Sequence, residues 1–197
     1  MKPQVLLIHG FNVKDGGKKS IGELGPYFTN RDCDVHMRKY GHFTITEARL
    51  KNDDVAKQVE QFVKNSVEPV ILVGHSNGCN IIYLAMKLFK AEPAHTVFIN
   101  PALKRDIRMP PSCKSLDIWH SPSDKPVKWA RFLWKSKYLN WGAMGAYGPS
   151  YEDPRINSYN KEEMLPSSKT HSDMFHTENI SFYGPKVADA SLRRIVR

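Results

Sequence analysis

Cysteine is scarce in this 197-residue chain, with Cys33, Cys79 and Cys113 the only three, and no Cys-x-x-Cys pair occurs. Zinc and dithiol redox motifs that need such a pair are thereby excluded. The three are read as small apolar side chains in a reducing compartment. Long hydrophobic runs are missing as well, so no segment is expected to span a membrane. The N-terminal run Val5-Leu6-Leu7-Ile8 is too short for the core of a secretory leader, and no small-residue cleavage site follows it. The expected location is therefore cytoplasmic. Internal repeats and low-complexity tracts are absent, as are recognised nucleic-acid-binding motifs, so specific nucleic-acid binding is not expected. No metal or cofactor motif appears, and none is called for. Acidic residues are the minority, 20 Asp and Glu against 29 Lys and Arg, for a net charge of +9. That balance favours anionic surfaces or substrates but identifies no chemistry.

Hydrophobic residues make up 41% and charged residues 25% of the chain. Both values are ordinary for a globular protein, and the length fits a single domain over residues 1–197. Its most informative segment is Gly74-His75-Ser76-Asn77-Gly78. The β-branched run Pro69-Val70-Ile71-Leu72-Val73 precedes it and reads as a buried strand. The segment from Asn80 to Phe89 follows it, free of Gly and Pro and too long for a typical strand. The pattern is strand, sharp turn, helix, with a serine at the apex. Such a turn strains the serine backbone and crowds both sides, so residues with little side chain are needed two positions away. A helix N-terminus beneath the serine offers N–H groups and partial positive charge to a developing oxyanion.

Gln4 to His9, Cys33 to Arg38, His95 to Ile99 and Ser115 to Trp119 read as further strands. A helix is expected to begin at Asp53-Asp54, with Val55, Val59, Phe62 and Val63 on one face. Another is expected after Lys186, with basic residues at its end. Strands alternating with helices imply a three-layer α/β/α sandwich around a mostly parallel sheet. Ligands bind outside the carboxyl ends of the strands of such sheets. His9-Gly10-Phe11, Ser76, Asn100-Pro101 and Asp124 all fall there.

A serine hydroxyl needs a base to take its proton, and the base needs a carboxylate to orient it. Histidine suits the base because its pKa lies near working pH. Four segments occur in order: Val5-Leu6-Leu7-Ile8-His9-Gly10-Phe11, the serine turn, His120-Ser121-Pro122-Ser123-Asp124-Lys125-Pro126-Val127, and His171-Ser172-Asp173-Met174-Phe175. Together they resemble the α/β-hydrolase fold family in a minimal form without a large cap domain. The resemblance spans nearly the whole chain, with the serine turn and the His-Gly-Phe strand end its most specific parts. It implies Ser76 as nucleophile, Asp124 as acid and His171 as base, in that family's chain order. It also implies an oxyanion hole built from the backbone N–H groups of Phe11 and Asn77. Asp117 and Asp153 compete for the acid and His176 for the base, whereas His9 and His75 read as structural.

The stretch from about 126 to 163 differs in composition and holds three of the four tryptophans. It is read as a lid-like insertion, with Trp129, Phe132, Trp141 and Met144 as candidate pocket or lid residues. Trp141 to Gly148 is too glycine-rich for a regular element. Residues 125–138 mix five cations with aromatics, so this face could cover the site or meet an anionic partner or membrane. Two functions are weighed. One is a serine hydrolase cleaving a small-molecule carboxylic ester or thioester through an acyl-enzyme. The other is a catalytically idle hydrolase-fold binding module that uses its basic face.

Overall fold

The computed structural model describes residues 2–11, 13–41, 47–128 and 140–195. Its strands are β1 (Gln4–Ile8), β2 (Asp34–Arg38), β3 (Val70–His75), β4 (His95–Ile99), β5 (Leu116–His120) and β6 (Ile156–Asn160). All pair in parallel, in the order β2-β1-β3-β4-β5-β6. The helices are α1 (Gly25–Thr29), α2 (Ala48–Asn65), α3 (Asn77–Leu88), α4 (Met144–Tyr147), α5 (Lys161–Met164) and α6 (Thr177–Ile195).

The central strands carry apolar side chains on both faces, so both faces must be covered. In β1, Leu6 and Ile8 enter one core cluster while Val5 and Leu7 enter another. β3 divides the same way, Val70 and Leu72 against Ile71 and Val73. The first cluster is closed by Val55, Ala56 and Val59 of α2 and Ile81, Ile82 and Met86 of α3. The second is closed by Phe28 of α1 and by Ile180, Tyr183 and Val187 of α6. The result is the three-layer sandwich that the alternation of elements implies, with a sheet that is wholly rather than mostly parallel. Because the strands are parallel, their carboxyl ends bring residues 9–11, 76, 100 and 120–124 to one edge of the sheet.

Four expectations differ from the structure. α2 begins at Ala48, not Asp53, because the buried Ala48 already packs in a small cluster with Ala102 and Trp141. α6 begins at Thr177 and runs through Pro185, which had masked its first half in the sequence. β6 lies inside the stretch read as an insertion; its sequence Ile-Asn-Ser-Tyr-Asn is too polar to announce a strand, and it is half-exposed at the sheet edge. The glycine-rich segment after Trp141 contains the short helix α4. Gly145 is required there because its backbone lies against Asn100 and Pro101, leaving no room for a Cβ. Its N–H donates to the Pro101 carbonyl (2.8 Å) and its carbonyl accepts from Ser121 N–H (2.9 Å).

The start of α3 is packed as tightly. A Cβ on Gly78 would strike the carbonyl oxygens of Ile8 and His9. These are backbone atoms of the central strand β1 and its exit, which cannot swing aside as a side chain end can. Gly78→Ala is therefore expected to destabilise the protein by about 1–3 kcal/mol. A denaturant titration measures this, and an unchanged midpoint contradicts the close approach.

Candidate active site

Ser76 joins β3 directly to α3 at φ 55° and ψ −118°. A positive φ in a non-glycine residue costs about 1–3 kcal/mol and persists only where the surroundings enforce it. Here the Ser76 N–H donates to the Ile99 carbonyl (3.0 Å), and the Ser76 carbonyl accepts from the N–H groups of Cys79 and Ala102 (both 3.2 Å). The hydroxyl is thus presented at the strand ends and is partly exposed. The backbone after β1 closes on it: a Cβ on Gly10 would lie 3.1 Å from Ser76 Cβ and 3.5 Å from Ser76 Oγ.

Asp124 is fully buried in the turn after β5. Its Oδ1 accepts from Val127 N–H (3.0 Å), and its Oδ2 accepts from the Asn100 side-chain amide and from His171 Nδ1 (2.8 Å). A carboxylate so placed fixes the His171 tautomer: the proton sits on Nδ1, and Nε2 keeps its lone pair. The imidazole of His171 is 18% exposed, while Asp124 is sealed. Among the described residues no hydrogen bond joins the Ser76 hydroxyl to His171. The structure thus joins the acid and base candidates directly, whereas the Ser76 hydroxyl makes no hydrogen bond to either.

His75 buttresses His171. Its Nε2–H donates to the His171 carbonyl (3.1 Å), and the two rings lie 4.7 Å apart. Phe175 closes the other side of His75, edge-on at 5.0 Å. Burial first, and the neighbouring His171 second, push the His75 pKa down, so it is neutral at neutral pH. His9 stacks on Tyr40 with ring centres 4.0 Å apart, and burial lowers its pKa also. Both rings are packed against neighbouring aromatic or imidazole side chains.

A polar network lies behind the expected oxyanion donors. The Asn77 side chain exchanges two hydrogen bonds with Asn52 of α2, at 2.9 and 3.2 Å, and its Oδ1 also accepts from the Trp141 indole N–H (2.7 Å). The Tyr40 hydroxyl lies 2.6 Å from the His9 carbonyl and 2.7 Å from that of Gly10, and donates its proton between them. Burial pushes its pKa far above the ordinary phenol value, a hydrogen bond from Asn77 opposing, so it remains a donor. Phe11 is half-buried and meets Trp141 edge-on at 5.4 Å. With Tyr40, Ala48, Ala102 and Trp141 it forms a small apolar cluster, and Tyr40 also packs against the first main core.

The remaining candidates sort clearly. Asp117 is buried within β5, bonded to Asn157 Nδ2 (2.7 Å) and 3.5 Å from His95 Nε2, and is level with mid-strand residues rather than the carboxyl edge. Asp153 is paired with Arg155 at 2.6 Å. His176 is exposed and follows the 3-10 turn Asp173–Phe175. Met144 is a correction: it is fully buried in the core cluster with Phe98, Leu103 and Ile118, not at a pocket surface. The short helix α4 directs it inward. Trp129 and Phe132 lie outside the described residues, as does most of the basic stretch 125–138. Three site residues had escaped notice as partners: Asn100, Asn52 and Tyr40. Only Asn100 had a signal, its place directly after β4. Among the described residues no group of three His, Cys, Asp or Glu side chains is placed to hold a metal ion, and no helix is long and apolar enough to cross a membrane.

No protein-family model matches the chain, and no curated protein matches it. Solved structures do. Est1E from Butyrivibrio proteoclasticus is 14% identical with a TM-score of 0.63, over 100% of this chain and 89% of that one. Est1E with ferulic acid bound is similar at 13% identity and a TM-score of 0.62. Alpha/beta hydrolase domain-containing protein 10 from mouse is 14% identical with a TM-score of 0.62, over 96% of this chain and 90% of that one. Aspergillus fumigatus lipase B is 15% identical with a TM-score of 0.58, over 89% of this chain and 49% of its own. The chain therefore has the α/β-hydrolase fold that its four ordered segments resemble.

The buried histidines give the protein a pH signature. Burial holds His9, His75 and the half-buried His120 below the ordinary imidazole value of 6.5. The unfolded chain therefore binds protons at these sites before the folded one does. The contribution of these three sites to stability is fully present above about pH 6.5 and is lost as pH drops below it. Thermal melts at about pH 7.5 and 5.5 are expected to show a lower Tm at the acid value. Equal melting temperatures contradict neutral, buried imidazoles.

Proposed function

We propose that the protein is a serine hydrolase that cleaves a carboxylic ester or thioester through an acyl-enzyme. The observation that carries the reading is the buried Asp124–His171 hydrogen bond at the sheet edge where Ser76 is held at positive φ. Ser76 Oγ attacks the acyl carbon while His171 Nε2 takes its proton. Asp124 keeps the imidazole oriented and balances the imidazolium that forms. The Phe11 and Asn77 backbone N–H groups receive the oxyanion of the tetrahedral intermediate. Collapse expels the alcohol or thiol, which leaves with the proton from His171. Water then loses a proton to the same imidazole and attacks the acyl carbon, releasing the acid and restoring Ser76. The Ser76–His171 hydrogen bond that starts the sequence forms with substrate in place, as catalytic hydrogen bonds commonly do.

The similarity to Est1E and to a lipase supports acyl chemistry by analogy of fold. The apolar cluster of Phe11, Tyr40, Ala48, Ala102 and Trp141, beside the expected oxyanion donors, supports an uncharged acyl or aromatic group on that side. Ferulic acid bound to Est1E is consistent with such a group.

A fluorophosphonate probe is expected to label the protein and to leave Ser76→Ala unlabelled. Asp124→Asn is expected to lower kcat on p-nitrophenyl esters by roughly 10⁴, because the wrong tautomer then faces Ser76. Folded protein that resists the probe refutes the reading.

The Tyr40 hydroxyl gives a separate expectation. Tyr40→Phe removes the hydroxyl shared by the carbonyls of His9 and Gly10, leaving Gly10 only its bond from His9 Nδ1 (2.8 Å), and loosens the turn that carries the Phe11 N–H. The expected loss in kcat is about tenfold, short of the 10²–10³ that follows loss of a donor itself, with KM nearly unchanged. Steady-state kinetics on the same esters check this, and an unchanged kcat refutes the support role.

A further inference from the structure

Lys161 is fully buried, which is rare for lysine. It stands at the first position of α5, immediately after β6, and Glu162 follows it. Neither residue enters the chemistry above. Their side chains diverge to two different loops. Lys161 Nζ lies 3.4 Å from Asp173 Oδ1. Asp173 is the organising residue of the loop that carries His171: it also accepts from the Ser168 hydroxyl (3.1 Å) and from Thr170 N–H, and its carbonyl accepts from the Asn179 amide (2.9 Å). Glu162 reaches the opposite way. It accepts from the Ser121 hydroxyl, from Ser123 N–H (2.6 Å) and from the Ser123 hydroxyl (3.0 Å). Ser121 and Ser123 lie in the turn that presents Asp124, whose own N–H donates to the Ser121 carbonyl (3.0 Å).

Stability alone is a weak reason for this arrangement. Desolvating an ammonium and a carboxylate offsets most of their attraction, and well-packed apolar residues commonly serve as well. Burial pulls the Lys161 pKa down, while Asp173 first and Asp124 next pull it back up. What an ionic pair supplies that an apolar pair does not is direction. The first two residues of α5 hold one loop each, and the two loops carry the two partners of a single 2.8 Å hydrogen bond.

We infer that Lys161 and Glu162 form a positioning clamp, which sets the Asp124 turn and the His171 loop at the separation their hydrogen bond needs. The catalytic meaning of the clamp rests on the proposed acyl transfer; its structural action does not. Misplacement of reacting groups by about an ångström is enough to cost 10²-fold in rate.

The test uses Lys161→Met, Glu162→Ala and Glu162→Gln in the full chain, with folding checked by circular dichroism. The first readout is the far-downfield proton resonance of His171 Nδ1–H, assigned by its loss in His171→Ala. The second is kcat and KM on a p-nitrophenyl ester, with the rate of fluorophosphonate labelling beside them. Lys161→Met and Glu162→Ala are expected to broaden or abolish the resonance. They are expected to lower kcat and labelling rate between about tenfold and 10²-fold with KM unchanged. Glu162→Gln keeps an acceptor for Ser123 N–H and is expected to recover most of both signals. Should Lys161→Met fail to fold, the half-exposed Glu162 decides through its own two variants. Folded variants that keep the resonance and the labelling rate overturn the clamp, as does a wild-type protein without the resonance. A wild-type protein that shows the resonance but resists the probe sinks the acyl-transfer reading instead, and the clamp is then judged on the resonance alone.

Discussion

The site depends on one backbone constraint, the positive φ at Ser76. Three main-chain hydrogen bonds tie that residue to β4, to Ala102 in the segment after it, and to its own helix. The close approach of Gly78 to the carbonyls of Ile8 and His9 fixes the start of the helix against β1. A strained residue held on both sides in this way cannot relax without parting β1 from α3. The strain is therefore stabilised by the core, and the hydroxyl is presented at the one edge where four strand ends converge.

Electrostatic sorting follows from burial. The carboxyl group of Asp124 is removed from water but receives three hydrogen bonds, so its buried oxygens are not left unpaired. Two other imidazoles, His9 and His75, are held neutral by burial and placed where they orient backbone or stack. His171 differs from both in having a carboxylate on Nδ1 and partial access to solvent. Of these three imidazoles it alone combines an oriented lone pair with a counter-ion for the charged form. That difference in surroundings, not in residue type, separates the base candidate from its neighbours.

Much of this was legible in the sequence, and the reasons are local. Val70 to Val73 and Val5 to Ile8 are short apolar runs ending in turn residues, so β1, β3 and the serine turn announced themselves. Asp124 and His171 were found through the order of segments, since nothing in their spacing shows that residues 47 positions apart share a proton. β6 stayed hidden because an edge strand has little need of apolar residues. The start of α6 was hidden by Pro185, whose penalty is outweighed by the apolar face from Ile180 to Ala188 packed on the sheet. Met144 looked like a pocket residue because its neighbours are small and aromatic, yet Gly145 lets the backbone of α4 press onto Asn100 and turns the methionine into the core. Asn52 and Tyr40 carried no signal, because their importance lies in which main-chain and amide groups the tertiary fold brings to them.

The two halves of the site are supported by different kinds of interaction, and the chemistry explains the difference. On the oxyanion side, Asn52, Asn77, Trp141 and Tyr40 are neutral, and they fix dipoles without adding a charge. In the proposed reaction a negative charge appears there only transiently, so fixed donors that need no reorganisation serve it best. On the side of Asp124 and His171, the proposed reaction needs a carboxylate and an imidazole that keep their separation while a proton moves. There one support is a buried ion pair, Lys161 with Asp173, and the other is the half-exposed Glu162 carboxylate, which accepts hydrogen bonds from the serines beside Asp124. An ionic anchor in a low-dielectric interior resists displacement more strongly than a dipolar one. For the proposed acyl transfer, the fold thus supplies neutral supports where charge would develop briefly and charged supports where the geometry must hold.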